Sequence, residues 1–529
     1  MKTRLSIPTA ALLATAALAS AQSLPTPTRS GAALTLKSML PSSQNAKVML
    51  NQTPRHREWV GVPMGSSIVL AFVVYPERSD KAPIVMVTAP HEGSSPWVRA
   101  VSDQVAAEGF IAVAPDVLTN MGPDHGDSES FHTPEALAEA LRRLRPSEIA
   151  RRIDTVRAYA LALPATDGKI ASLELDSHAG RINLIVDGGS GNAASTPRST
   201  NFPLTAAGWP QALEYLNRET NNHPVAGAND FAPNNEHAEH MAAMMALAQG
   251  SSRGNVKSAA GDSTALTTSY AEKQPNLPAG YYTAYSALDK SKLRKEWVDI
   301  PLPAKPGESA AKLHTWVEYP AGEGKAGVVI VMQHATGMDE WIRAVADQLA
   351  QEGFIAVAPD LWSGTGNNGG GRETFEFIDD AMKAGAKITA DEAQRRYKAA
   401  RDWALKLPRA NGKSGSMGFC AGGGNAFRFA GEVPELNAAV VYYGTPPDPD
   451  VMAKIKAPVI GFYGENDARV TSTVAPTITA MEKLGKVYEP HIYPKATHTF
   501  VLFQEMAGNA AAVNDSWPRA IAFLKKNLN

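Results

Sequence analysis

One cysteine occurs in this chain of 529 residues, and its neighbours are those of a nucleophile. Gly418-Phe419-Cys420-Ala421-Gly422 has the form G-x-nucleophile-x-G, between a predicted strand and a predicted helix. A nucleophile on so tight a strand-to-helix turn needs glycine on either side, because larger side chains would collide there. The turn also sets Cys420 at a helix amino terminus, where the dipole favours thiolate and the next backbone N–H faces a developing oxyanion. The plainer alternative is a small buried core residue. A thiol nucleophile needs a base and an acid to orient that base. Asp467 follows the apolar run Pro458-Val459-Ile460-Gly461-Phe462-Tyr463-Gly464, and His498 follows Tyr493-Pro494. In that order, His498 would take and return the thiol proton while Asp467 holds the imidazole in the useful tautomer.

The elements that must position these residues are written twice. Residues 97–116, WVRAVSDQVAAEGFIAVAPD, and residues 341–360, WIRAVADQLAQEGFIAVAPD, agree at sixteen of twenty positions with an offset of 244. Arg57-Glu58-Trp59-Val60 answers Lys295-Glu296-Trp297-Val298 upstream, and Leu163-Pro164 answers Leu407-Pro408 downstream. So long a period implies two duplicated domains, each with its own core, rather than a solenoid. Val328-Val329-Ile330-Val331-Met332 reads as a buried parallel strand, Trp341, Val345 and Leu349 as one stripe of a helix that Gly353 ends, and Phe354–Ala358 as the next strand. Strand and helix in alternation indicate a doubly wound α/β sheet with its ligand site at the carboxyl ends of the strands.

At these residues the second copy resembles the dienelactone hydrolases of the α/β-hydrolase superfamily. The resemblance spans residues 285–529 and rests on the G-x-C-x-G-G elbow, Tyr442-Tyr443-Gly444, the turn with Asp467, and the Tyr-Pro...His-x-Phe segment ending at Phe500. It implies two tandem α/β-hydrolase-like domains with mainly parallel sheets, and a Cys420-Asp467-His498 triad that hydrolyses small esters or lactones through an acyl-thiol intermediate. It further implies an oxyanion hole from the backbone amides of Ala421 and Ala335, with Tyr443 and Arg469 beside the substrate. One departure stands out: the family commonly carries a Glu that can touch the resting thiol, where this chain has His334 in Gln333-His334-Ala335-Thr336-Gly337. His334 reads equally as a thiolate partner, a substrate donor or a polar lining residue. No cofactor or metal is called for.

The first copy lacks the chemistry. Cys420 corresponds to Asp176 in Leu175-Asp176-Ser177-His178, Asp467 to His223, and His498 to Gly254. It reads as a degenerate domain that packs on the active one, shapes its entrance or binds a ligand, with His91-Glu92 as a remnant polar pocket. The expected divisions are a signal peptide at 1–21, an extension at 22–49, the degenerate domain at 50–190, a flexible connector with short helices at 191–284, and the catalytic domain at 285–529. The basic, apolar and small-residue pattern from Met1 to Ala21 predicts export, to a periplasm or outside the cell, and no membrane span remains after cleavage. Fifty-one Lys and Arg against 53 Asp and Glu give no basic face for nucleic acid. His237, His240, Met241 and Met244 could offer copper ligands, although a half-exposed helix explains them as well. The glycines between Gly364 and Gly371 match no phosphate loop and read as a flexible loop near the site. The second functional class is a non-catalytic exported binding or scaffold protein on this fold; a redox thiol lacks a resolving partner.

Overall fold

The β-branched runs of the two copies become the buried centres of two sheets. The computed structural model describes residues 40–186, 198–222, 273–302, 311–504, 506 and 508–529. The expected signal segment and the His237 to Met244 cluster lie outside the described residues.

The first copy runs α1 (Ala46–Gln52), β1 (Arg57–Met64), β2 (Ser67–Val74), β3 (Ala82–Thr88), α2 (Pro96–Ala107), β4 (Ile111–Pro115), α3 (Pro134–Arg143), α4 (Pro146–Leu161), β5 (Thr166–Asp176), β6 (Arg181–Val186), β7 (Arg198–Pro203) and α5 (Gly208–Thr220). The second copy repeats the order as α6 (Ala284–Lys290), β8 (Lys295–Leu302), β9 (Ala311–Glu318), β10 (Ala326–Met332), α7 (Glu340–Gln351), β11 (Ile355–Pro359), α8 (Ile378–Gly385), α9 (Ala390–Ala404) and β12 (Ala410–Phe419). It then continues with α10 (Ala421–Glu432), β13 (Ala438–Tyr442), β14 (Val459–Asn466), α11 (Ala468–Lys483), β15 (Tyr488–Thr497) and α12 (Asn509–Leu528).

Local chemistry starts and stops the repeated helices alike. Ser95 caps α2 by accepting from the Val98 amide, and Asp339 caps α7 by accepting from that of Ile342. Gly109 and Gly353 then turn the chain out at φ of 95° and 101°.

The sheets differ after their common part. The second has the order β15-β14-β13-β12-β10-β11-β9-β8, parallel from β11 through β15. The first has β1-β2-β4-β3-β5-β6-β7, and only β4, β3 and β5 run parallel. Where β12 breaks into α10, β5 folds back into β6 through a turn in which Asp176 Oδ1 accepts from the Ala179 amide and Gly180 takes φ of 62°. The expected boundaries therefore need correction. Within the 191–284 connector, β7 and α5 complete the first sheet and its core through Trp209, Ala212 and Leu216. At the far end, Leu277 and Ala279 enter the second core, and Trp341 Nε1 donates to the Ala279 carbonyl. The polar composition misleads there because β7 is an edge strand, mostly exposed along Arg198 to Pro203.

The copies pack together through α8. Asp379 accepts from the fully buried Arg99 at 2.6–2.7 Å, Lys383 reaches Asp127 and Glu129 at 2.8 and 2.6 Å, and Asn51 Oδ1 accepts from the Ile378 amide. Met382 enters the first copy's core. Among the described residues, no helix is long and apolar enough to cross a membrane.

Candidate active site

The turn between β12 and α10 holds Cys420 at φ 55° and ψ −118°, a conformation that costs of order 1–3 kcal/mol for a residue with a side chain. Backbone crowding enforces it. A Cβ on Gly422 would lie 2.1 Å from the Met332 carbonyl oxygen, and one on Gly423 would lie 2.3 Å from that of Tyr442. Cys420 is the residue before the first turn of α10, so its sulfur sits where the helix dipole favours negative charge.

Asp467 precedes α11 at the end of β14, and His498 follows β15, so adjacent strand ends bring them together. His498 Nδ1 lies 2.5 Å from Asp467 Oδ2, with both residues buried. That contact commits Nδ1 and leaves His498 Nε2 buried with no hydrogen-bond partner among the described residues. Burial pulls the His498 imidazole down, but Asp467 and the thiol outweigh it and raise the group to about 10. Burial would push the Cys420 thiol up, yet the imidazoles of His56 and His498 hold it well below the usual thiol range. Asp467 likewise stays below the ordinary carboxylate range, with burial offset by His498.

His56 belongs to the first copy. Its Nδ1 lies 3.4 Å from Cys420 Sγ, and its ring centroid is 4.5 Å from that of His498. A ring nitrogen of His56, a ring nitrogen of His498 and the Cys420 sulfur all fall within 4.8 Å of one another. Behind His56, Nε2 faces Glu58 Oε2 at 3.6 Å, and Glu58 Oε1 accepts from the Tyr75 hydroxyl at 3.0 Å. Burial alone would raise Glu58; His56 and Arg469 reverse this and lower it to about 2. Two more first-copy residues reach the same loops: Glu77 Oε2 accepts from the His498 amide, and the Arg78 carbonyl accepts from that of Ala468. Burial lifts Glu77 to about 7, against the pull of His498.

A cavity of about 350 Å³ opens over Cys420, lined by Ala421, Ala335 and His334 from one side and by His56, Glu58 and Arg469 from the other. A smaller one of about 80 Å³ adjoins it. Ala421 and Ala335 thus line the same cavity as the Cys420 sulfur. His334 lines both cavities, and its hydrogen-bond partners among the described residues are Asp339, at 2.7 Å, and Thr336. Arg469 sits over the Tyr75 ring at 5.3 Å. Tyr443, anticipated beside the substrate, is instead buried behind the site against His498 and Phe500 and lines neither cavity. Its φ of 40° and its place directly after β13 turn the ring into the core.

Reading the sequence alone missed His56, Glu58, Tyr75 and Glu77. One signal was present. Glu58 and Tyr75 have counterparts in Glu296 and Tyr319, joined by the same hydroxyl-to-carboxylate bond at 2.9 Å, but the positions beside them differ: Arg294 answers His56 and Ala321 answers Glu77. In the first copy, then, ionisable residues unlike those of its twin occur on the edge that faces the thiol. The remnant cluster of the first copy stays at the surface, with His91 and His178 stacked at 3.9 Å and His91 3.9 Å from Asp176.

The model of the dienelactone hydrolase family matches residues 69–173 and 313–528, together more than half of the chain. A protein of Saccharolobus solfataricus described as "Putative carboxymethylenebutenolidase" is 29% identical over 246 residues, 41% of this chain and 95% of its own. One of Escherichia coli K12 with the same description is 27% identical over 215 residues, 39% of this chain and 78% of its own. The solved dienelactone hydrolase of Anabaena variabilis is 24% identical with a TM-score of 0.35, covering 45% of this chain and 100% of that one. The interrupted match falls on both copies and skips the stretch where the first is remodelled, so this chain belongs to the dienelactone hydrolase family and is a hydrolase of carboxylic ester bonds.

Proposed function

We propose that the protein hydrolyses small esters or lactones with Cys420 as nucleophile, His498 as general base and Asp467 as the residue that orients it. The observation that carries this reading is the strained elbow of Cys420, opening on a cavity beside a His498 whose Nδ1 is held by Asp467 and whose Nε2 has no partner among the described residues. The thiolate sulfur adds to the ester carbonyl carbon and the carbonyl π pair moves to oxygen, near the amides of Ala421 and Ala335. Collapse breaks the bond to the leaving oxygen, which takes a proton from an imidazolium and departs as an alcohol. Water then gives a proton to His498 as its oxygen adds to the acyl carbon, and the acid leaves with the thiolate restored. In a lactone, alcohol and acid are two ends of one product. The pattern of residues 1–21 supports export as part of the same reading.

A panel of aryl esters and lactones tests this. The native protein should turn over at least one of them, and Cys420→Ala and His498→Ala should not; equal rates for all three would remove the reading. Because the chain has one cysteine, mass spectrometry of the quenched reaction should find the acyl group on Cys420 alone.

A further inference from the structure

The sulfur of Cys420 has two imidazoles within reach, and at rest it is hydrogen-bonded to the one from the other copy. The His498 ring lies within reach of the same sulfur and is coupled to it, but its Nε2 is not in hydrogen-bond geometry with any described residue. His56 is held from several sides. The Tyr75 amide donates to its carbonyl at 2.9 Å, the Tyr75 and His498 rings pack on its own, and Glu58 lies at its far nitrogen. Glu58 is in turn secured by the Tyr75 hydroxyl. Nε2 makes no hydrogen bond among the described residues but lies 3.6 Å from the Glu58 carboxylate, an ion pair once the ring is charged, and Nδ1, in hydrogen-bond range of sulfur, is the atom placed to exchange a proton with it. His334, at the position where a residue of the second copy would meet the thiol, is engaged by Asp339.

We propose that His56 is a catalytic residue supplied by the degenerate copy: it takes the Cys420 proton at Nδ1 to leave a thiolate-imidazolium pair, with Glu58 as the positioning residue behind it. This rests on Cys420 being the nucleophile. The proton leaves sulfur for Nδ1, the S–H electron pair stays on sulfur, and the charged ring pairs with Glu58 at its far side. Once sulfur has bonded to the acyl carbon it no longer competes for the Nδ1 proton, which passes to the leaving oxygen and returns His56 to neutrality. Once sulfur is acylated it no longer supports charge on His498, which then takes a proton from the attacking water; that proton returns to the sulfur as the acid leaves. Two bases divide the two half-reactions, and the first copy is retained because its edge strand carries one of them.

Alkylation of the single thiol reads this without reference to turnover. The groups facing His56 are Glu58 on β1, Tyr75 and Glu77 past β2, Cys420, His498, and Asp467 with Arg469 at the head of α11. The full chain, dialysed against a chelator, is treated with iodoacetamide from pH 4 to 10 and the modification of Cys420 is followed by mass. His56→Asn keeps a nearby N–H but cannot hold the charge. It should move the midpoint up by at least about one pH unit, slowing alkylation on the acid side of the curve roughly tenfold. Its kcat for an aryl ester should fall by at least about tenfold with KM nearly unchanged. Glu58→Gln, which can still accept from Tyr75, should move both in the same direction by less, and it serves if His56→Asn fails to fold. Midpoints in both variants equal to native would overturn the assignment. Should Cys420→Ala be inactive at the same time, only the role of His56 falls; should Cys420→Ala keep full turnover, the nucleophile reading falls first.

Discussion

The two copies share one path from α1 to the end of β5 or β12 and then part at a single position. In the second, Gly418 and Gly422 let the chain turn sharply at Cys420 and enter a helix. In the first, Asp176 stands there with no glycine on its strand side, and its side chain caps a tight turn into an antiparallel partner. Loss of the elbow therefore removed more than a nucleophile. Without α10, the first copy's sheet has, among the described residues, no parallel strands equivalent to β13, β14 and β15, and β6, β7 and α5 close it instead. What persists is the edge β1-β2, and that edge now adjoins the thiol of its twin. A duplicated domain can lose its own chemistry and still hold residues a neighbour uses.

The widest contrast is at the divergent position itself. Cys420→Ala should lower kcat/KM for an aryl ester by at least about a thousandfold, whereas Asp176→Ala should leave it within about twofold, by steady-state kinetics. Next is the buried charge that joins the copies. Asp379→Ala leaves the buried Arg99 guanidinium with Glu129 as its remaining carboxylate partner and should cost about 3 kcal/mol in urea denaturation. Its counterpart Arg343 pairs with Glu340 near the surface, so Glu340→Ala should cost less than about 1 kcal/mol.

A third contrast depends on pH. Glu318 is buried beside Asp347 where the first copy has Val74, and burial with that neighbour raises it to about 9. A carboxyl raised on folding holds a proton that the unfolded chain has released. Its contribution is complete below about pH 4.5 and declines as pH rises toward 9. Glu318→Gln should flatten the loss of thermal stability over that range, read from melting curves taken between those pH values. The smallest effect concerns the turn that replaced the elbow: Gly180→Ala meets open space but keeps a positive φ, and should cost about 1 kcal/mol with no change in turnover.

Much of this was legible in the sequence because it was periodic or sterically demanded. The apolar runs at 328–332 and 354–358 were readable as strands because buried parallel strands need no alternation. The elbow was readable because few residues other than glycine fit that turn. The order Cys420, Asp467, His498 was readable from the strands preceding each, and the structure brings the three together. Other features were not local. β7 looked like linker because an edge strand keeps polar residues exposed. His56 has no motif around it; its meaning depends on docking with a loop far along the chain, and a missing thiol says nothing about the edge that carries it. Tyr443 was misplaced because a motif gives order along the chain but no side-chain direction.

The hydrogen bond between His56 and Cys420 joins residues 364 positions apart. During synthesis the N-terminal half is made first, and the segment carrying the thiol emerges long after it. Each copy has its own sheet and core, so the contact forms when the two dock and depends on both having folded. A chain whose copies have folded but not yet docked would carry a thiol that lacks the His56 contact, and the change in its reactivity would be a clock for the docking step.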